Sequence, residues 1–206
     1  YRLLTRIAHI RTDTQFQTFR QGPHMLIRHA TMDDLPAIAA AEAACFPAAE
    51  AASAEALRNR LAVYPDCFWL MIDDGTLAST SHDGAGAADV PAEPSDGRLV
   101  AFINGFVTDS PDLTDDMYDD AGLHDPQGAW QMIFGVDTAP EYRHHGYASA
   151  LMRRVIADAR QARRAGLVLT CKDRLVGFYE RFGYVDEGMS SSTHGNVAWH
   201  QMRLRF

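Results

Sequence analysis

The chain has 206 residues, of which 47% are hydrophobic, and a formal net charge of -8. These values fit one globular domain with a real core, and the acidic balance argues against nucleic acid as a partner, because phosphate needs a basic surface. The three cysteines contain no C-x-x-C pair and no apolar run is long enough to cross a membrane, so neither a metal site nor a membrane partner is expected, and a reducing cytoplasm is the expected location.

The apolar pattern predicts an alternation of strands and helices that begins at Met25. Residues 1–24 are assigned to an added segment or an upstream extension with no functional role. In chain order, the pattern predicts strand 26–28, helix 31–44, helix 53–63, strands 68–72, 98–107 and 130–136, helix 148–165, strand 167–170, helix 175–182, and strands 184–185 and 197–204. Thr31 and Ser53 are candidate helix caps, and Gly166 is expected to end the helix before it.

Two connecting segments have the composition of loops. Residues 74–97 are rich in Gly, Ala, Ser, Asp and Pro, which predicts a flexible insertion within a single domain over 25–206. The acidic residues of segment 109–125 lack the Gly and Glu of a calcium-binding loop, so a solvated loop is expected, with attraction of cationic substrates as the alternative. The order of elements predicts an α/β protein with one mixed sheet and helices on both faces.

The turn between strand 130–136 and helix 148–165 is the most informative local feature. It contains Arg143, Gly146 and Ala148 in an R-x-x-G-x-A arrangement. The start of a helix presents unpaired N–H groups and a partial positive charge, and Gly permits close approach of an anion, so the turn is a candidate pyrophosphate site. An ordinary turn into a helix remains the alternative, since neither G-x-G-x-x-G nor a P-loop is present.

The strings on either side of this turn give the sequence a family resemblance. They are LVAFI at 99–103, LHDPQG at 123–128, the turn region 136–151 and LVGFYERFGY at 175–184. With these strings, residues 26–204 resemble the GCN5-related N-acetyltransferase (GNAT) superfamily, and within it the arylalkylamine (serotonin) N-acetyltransferase-like branch. The resemblance implies an acyl-CoA N-acyltransferase fold, in which a central, mostly antiparallel sheet is splayed at the cofactor.

The resemblance also implies acetyl-CoA as co-substrate, with no metal. Its pantetheine arm is expected along the strand edge at Phe134, Gly135 and Val136. Its pyrophosphate is expected on the turn and the helix start, at Arg143, His144, His145, Gly146, Tyr147, Ala148 and Ser149.

The expected chemistry is direct attack of an amine on the thioester, which needs a base and a proton donor. Tyr179 matches the tyrosine that the family places near the cofactor sulfur, although packing in the core is the alternative. The vertebrate members carry two histidines on the strand where this chain has Trp130 and Met132. Glu50 lies where the insect members place a catalytic Glu, or it only charges the start of the next helix, and His124 is a second candidate base.

The expected acceptor is a small-molecule amine, an arylalkylamine or a polyamine. Aromatic and apolar candidates for the walls of its site are Phe46, Pro47, Tyr64 and Trp130, unless they belong to the core. Two alternatives stay open: acetylation of a protein lysine or N-terminus, and a non-catalytic acyl-CoA-binding regulatory domain. A monomer or a homodimer is expected.

Overall fold

The computed structural model describes residues 19–20, 24–75, 94 and 96–206, so the predicted extension 1–24 and insertion 74–97 lie largely outside the described residues. The strands are β1 (Phe19–Arg20), β2 (Met25–His29), β3 (Phe68–Asp73), β4 (Arg98–Thr108), β5 (Trp130–Thr138), β6 (Gly166–Cys171), β7 (Val185–Met189) and β8 (His200–Arg205). The helices are α1 (Leu35–Cys45), α2 (Ala54–Val63), α3 (Asp116–Asp119), α4 (Tyr147–Gln161) and α5 (Val176–Glu180).

The eight strands form one sheet in the order β1-β2-β3-β4-β5-β6-β8-β7. All neighbouring pairs are antiparallel except β5 and β6, which are parallel. Every residue of β4 from Leu99 to Thr108 is buried, so both faces of the central sheet are covered, and helices α1 and α4 both contact β4. The mixed sheet with helices on both faces, predicted from the order of elements, is therefore confirmed.

The starts of the first two helices follow from their caps. The side chain of Asp34 accepts a hydrogen bond from the Thr31 N–H at 2.7 Å, in a capping box that begins a short 3-10 turn before α1. The hydroxyl of Ser53 accepts from the Ala56 N–H at 3.0 Å and caps α2 as predicted.

The predicted end of the long helix is wrong. Helix α4 ends at Gln161 rather than at residue 165, and Arg163 takes a left-handed conformation with φ of 56°. The N–H of Arg164 then bonds back to the carbonyl of Ala159 at 3.0 Å, which satisfies one of the last helical carbonyls. Gly166 is the first residue of β6 rather than the helix stop.

The acidic residues of segment 109–125 are mostly exposed, as expected of a solvated segment, but the segment has regular structure and defined contacts. It contains α3, and the carboxylate of Asp115 accepts hydrogen bonds from the Ser192 hydroxyl and the Thr193 N–H. Asp112 pairs with Arg203, a side chain that is 4% exposed. Through these contacts, the carboxylates of Asp112 and Asp115 hold the segment against β8 and the residues before it.

Candidate active site

The sheet opens between β5 and β6. The two strands pair from Trp130 with Gly166 to Ile133 with Leu169. Beyond that point β5 continues beside β4 to Thr138, whereas β6 continues beside β8 to Cys171. The backbone of Phe134, Gly135 and Val136 therefore lines a gap on the side where β6 has moved away.

A cavity of about 290 Å³ lies at this opening. Its lining includes six of the residues that the sequence assigned to the site, namely Phe46, Glu50, Phe134, Gly135, Val136 and Tyr179. It also includes residues that the sequence did not single out, among them Glu42, Arg60, Asn104, Tyr118 and Trp199. The cavity thus combines the open strand edge with ionisable and aromatic side chains.

The turn that precedes α4 has the geometry of an anion site. Gly146 is the residue before the first helical turn and has φ of 82°, a left-handed conformation that favours Gly, and the space where a Cβ would lie is open. The first N–H groups of α4 have no partner within a helix. Arg143 and His145 are exposed beside them, and the Arg143 Nε donates to the Thr138 carbonyl at 3.2 Å. His144, with φ of 66°, helps to form the tight turn.

Tyr179 extends from the short helix α5 toward the cavity. The side chain is 6% exposed and its ring packs edge-on against Phe178 and Tyr184. Burial raises the pKa of the Tyr179 phenol above its ordinary value, and the nearby Cys171 and Asp137 act in the same direction. The hydroxyl therefore keeps its proton at neutral pH and is available as a donor.

Glu50 lies in the segment between α1 and α2. Its Oε1 accepts a hydrogen bond from Lys172 Nζ at 2.8 Å, and its Oε2 is buried with no hydrogen-bond partner among the described residues. The backbone carbonyl of Glu50 lies 3.0 Å from Nε2 of His194, whose ring stacks on Tyr118 at a centroid distance of 4.8 Å. One carboxylate oxygen at the cavity thus remains free to accept a proton.

The residues of the turn at 143–149 lie outside the cavity lining, and so do four of the predicted catalytic and substrate-binding residues. The Nδ1 of His124 accepts a hydrogen bond from the Val107 N–H at 3.1 Å, its ring packs against Tyr64, and burial lowers its pKa. Trp130 packs under the guanidinium groups of Arg203 and Arg205. Pro47 and Tyr64 also do not contribute to the lining. His124 therefore has a packing contact where the sequence suggested a base.

A pair of buried carboxyl groups was not anticipated from the sequence. Asp137 on β5 is 1% exposed with both carboxyl oxygens unpartnered in the described structure, and Glu42 on α1 is 4% exposed with Oε2 unpartnered. A Cβ on Gly135 would lie 3.0 Å from Asp137 Oδ2 and 3.7 Å from Glu42 Oε2, so both carboxyls surround this glycine. Burial, and then the charge of Glu42, raises the pKa of Asp137 well above its ordinary value, and burial raises that of Glu42.

The buried charged residues on the helices carry a signal in the sequence. Glu42 follows the buried Ile38 by four positions, and Arg60 follows the buried Leu57 by three, so both share the apolar face of their helix. A charged residue at such a spacing is a candidate for a cavity. Within the described ranges, no helix has the length and apolarity to cross a membrane, and no group of three or more His, Cys, Asp or Glu side chains is arranged to hold a metal ion.

The sheet that opens between β5 and β6, the cavity at the opening and the Gly146 turn before α4 are the features that the family resemblance implied for the fold. The chain matches the acetyltransferase (GNAT) family over residues 35–184, and it belongs to that family. The family resemblance, the fold and the assignment to an acetyltransferase family that were expected from the sequence are thereby confirmed.

Known proteins resemble the chain to different extents. The serotonin N-acetyltransferase of Mesocricetus auratus is 33% identical over 111 residues, which are 52% of this chain and 51% of that protein. The chain thus matches about half the length of this curated relative. The structure of the GphF GNAT-like decarboxylase in complex with isobutyryl-CoA has a TM-score of 0.65 at 24% identity, covering 87% of this chain and 98% of that one. The ribosomal-protein-S18-alanine N-acetyltransferase from Escherichia coli has a TM-score of 0.58 at 15% identity, covering 88% and 93%. At these identities, the two structures support the fold alone.

Proposed function

We propose that the chain transfers the acetyl group of acetyl-CoA to a primary amine, such as a small arylalkylamine or a polyamine. The observation that carries this proposal is the cavity of about 290 Å³ at the opening between β5 and β6, whose lining includes the free edge of β5, Glu50 and Tyr179. A strand edge, a free carboxylate oxygen and a protonated phenol around one space are what acyl transfer to nitrogen requires. Membership of the acetyltransferase family supports the same chemistry.

The residues of the opening and of the turn fit acetyl-CoA, which supplies an activated acetyl thioester when bound. The peptide groups of Phe134, Gly135 and Val136 lie at the gap and would hydrogen-bond the pantetheine arm. The N–H groups at the start of α4, together with Arg143, would hold the pyrophosphate. In a chain of net charge -8, this local concentration of N–H donors and positive charge suits an anion better than the acidic remainder of the chain does.

The proton transfers follow from Glu50 and Tyr179. An alkylamine with a pKa of roughly 10 arrives as an ammonium ion and must lose a proton before it attacks. Glu50 Oε2, which has no other partner in the described structure, would accept the proton from the nitrogen, directly or through a water. As the C–N bond forms and the C–S bond breaks, the Tyr179 hydroxyl would donate its proton to the leaving sulfur, and the attacking nitrogen would lose its second proton to water to give the neutral amide. Solvent then returns a proton to Tyr179 and removes one from Glu50.

Aromatic rings at the cavity support an amine with an apolar body. Phe46, Tyr118, Phe134 and Trp199 belong to the lining. Ring faces attract an ammonium group and also pack against an aryl or alkyl chain. Pro47, Tyr64 and Trp130, which the sequence suggested for this role, lie outside the lining and are not part of the proposal. His124 is likewise left out of the proton transfers because its Nδ1 is occupied by the Val107 N–H.

Location and assembly remain proposals. The cysteines Cys45, Cys67 and Cys171 are free thiols, which suits the cytoplasmic location inferred from the sequence. The expectation of a monomer or a homodimer stays a prediction.

The test is the initial rate of thiol release from acetyl-CoA with phenethylamine, tryptamine, spermidine, a peptide with a free N-terminus and a lysine-containing peptide. We expect release with at least one of the small amines. Release with the peptides alone would favour a protein acetyltransferase, the activity named for the Escherichia coli neighbour. Binding of acetyl-CoA without release by any amine would favour a non-catalytic acyl-CoA-binding domain.

A further inference from the structure

Arg60 places a positive charge inside the cavity. The residue is 5% exposed and belongs to the same buried face of α2 as Leu57 and Leu61. Its guanidinium carbon lies 4.9 Å from the centre of the Phe134 ring, next to the free edge of β5, and Arg60 belongs to the cavity lining. The charge is therefore adjacent to the place where acyl transfer is proposed.

The hydrogen bonds of Arg60 leave part of its guanidinium unused. Nη1 donates to the side-chain oxygen of Asn104 at 3.1 Å, and Nη2 donates to the backbone carbonyl of Tyr118 at 2.7 Å. Both acceptors are neutral, and Nε is buried with no partner in the described structure. Because a guanidinium has five N–H donors, these two bonds do not satisfy it.

The carboxyl groups of the site do not neutralise this charge. Among the described residues, no carboxylate lies within ion-pair distance of Arg60. Oε1 of Glu42 is occupied by the Ala52 N–H at 2.8 Å, and burial raises the pKa of Glu42 although the charge of Arg60 acts in the opposite direction. Asp137 is held toward its neutral form by burial and by Glu42. An unpaired buried cation costs free energy that an anion in the cavity would recover.

We propose that Arg60 binds a carboxylate of the substrate, so that one of the two reactants carries an acid group. The carboxylate could belong to the amine acceptor, which would then be an amino acid or a similar zwitterion. It could also belong to the acyl group, as in a thioester of a dicarboxylic acid. Both sources present the same planar anion to the fork of an arginine.

This inference rests on the proposed acyl transfer and narrows its substrate class. In an amino acid acceptor, the carboxylate would lie at Arg60 and the amine would face Glu50, with the side chain among Tyr118, Phe134 and Trp199. A polyamine would instead meet like charge at Arg60. The positive charge therefore favours acid-bearing reactants over purely cationic amines.

The first test compares matched substrates on the unmodified protein. In one arm, acetyl-CoA is offered with phenylalanine or phenethylamine, which differ by the carboxylate. In the other, phenethylamine is offered with succinyl-CoA or acetyl-CoA. We expect kcat/KM to be higher for the carboxylate-bearing reactant in one arm by on the order of 10- to 100-fold, the range for a hydrogen-bonded charge. The arm with the preference identifies the source, and equal or reversed rates in both arms overturn the proposal.

The second test uses variants of α2. Arg60→Gln should bring the ratio of kcat/KM between the two reactants of the pair close to one, and Arg60→Lys should restore part of the difference, since charge is kept without the fork. Arg58→Gln is the matched control, because Arg58 is exposed on the same helix. A misfolded variant would lose activity with both reactants of a pair. Loss of the preference for the carboxylate-bearing reactant alone is specific to the carboxylate contact. An unchanged preference in Arg60→Gln overturns the proposal.

A binding measurement separates this inference from the proposed function. Titration calorimetry with N-acetylphenylalanine, N-acetylphenethylamine, succinyl-CoA and acetyl-CoA does not depend on turnover. If no amine yields thiol but a carboxylate-bearing ligand binds more tightly by the expected factor, the acyl transfer fails and the Arg60 site stands. If turnover is observed but neither pair of ligands differs in affinity or rate, the Arg60 site fails and the acyl transfer stands.

Discussion

The buried carboxyl pair of Glu42 and Asp137 predicts that the stability of this protein depends on pH. Asp137 is 1% exposed and neither of its oxygens has a hydrogen-bond partner in the described structure, so its charged form is strongly disfavoured. The perturbation is Asp137→Asn, which keeps the shape of the protonated acid and removes its ability to ionise. The amide of the variant also carries N–H donors. Oε2 of Glu42, which has no hydrogen-bond partner in the described structure, could accept from them.

The direction of the effect follows from the raised pKa. In the unfolded chain an Asp ionises near pH ~3.9, while the native Asp137 stays protonated to a higher pH. Above pH ~3.9 the unfolded state therefore binds fewer protons than the native state, so stability falls as pH rises toward the native pKa. While native Asp137 stays protonated, the slope is about 1.36 kcal/mol per pH unit for one proton. Asp137→Asn should abolish this pH-dependent fall in the free energy of unfolding.

The assay is urea unfolding of both proteins at several pH values between 5 and 7. The free energy of unfolding of the variant should rise relative to that of the natural chain as the pH increases from 5 to 7, so the two curves diverge with rising pH. Asp33→Asn is the control, because Asp33 is exposed, and its curve should run parallel to that of the natural chain. Parallel curves for Asp137→Asn would refute the account of the buried pair.

Three further predictions concern the reaction. Tyr179→Phe should lower kcat by roughly 10²- to 10⁴-fold, the range for a general acid, and spare acetyl-CoA affinity, whereas Tyr184→Phe, a buried neighbour outside the lining, should leave kcat near its starting value. Glu50→Gln should lower kcat/KM, and an unchanged kcat/KM would exclude Glu50 as the base. Gly146→Ala should weaken acetyl-CoA binding in calorimetry and cost about 1–2 kcal/mol of stability, since its φ of 82° is unfavourable for a residue with a Cβ.

Much of the fold was predictable because its signals are local. Thr31 and Ser53 begin helices through hydrogen bonds to residues three positions away, and apolar runs define β3 and β4. The end of α4 was not predictable from Gly166, because Arg163 adopts the left-handed conformation that Gly usually supplies. The order within segment 109–125 depends on contacts with Ser192 and Thr193, which are distant in sequence.

The residues of the candidate site also divide into those that local sequence signals could identify and those that such signals could not. The strand edge at Phe134 and the turn at Gly146 lie within one strand–turn–helix unit, so the sequence could identify them together. Arg60 and Glu42 come to the cavity from separate helices, and Asn104 reaches it from β4. Their roles depend on burial and on missing partners, which only the three-dimensional arrangement reveals.

Acetyl transfer from acetyl-CoA to an amine can be tested by measuring both products of one reaction. The protein is incubated with acetyl-CoA and the amine that gives the fastest thiol release, and free thiol and N-acetylated amine are quantified together by mass spectrometry. We expect equal amounts of the two products with the natural chain, and strongly reduced amounts of both with Tyr179→Phe. Thiol without the N-acetylated amine, or neither product in the presence of bound acetyl-CoA, would contradict this expectation.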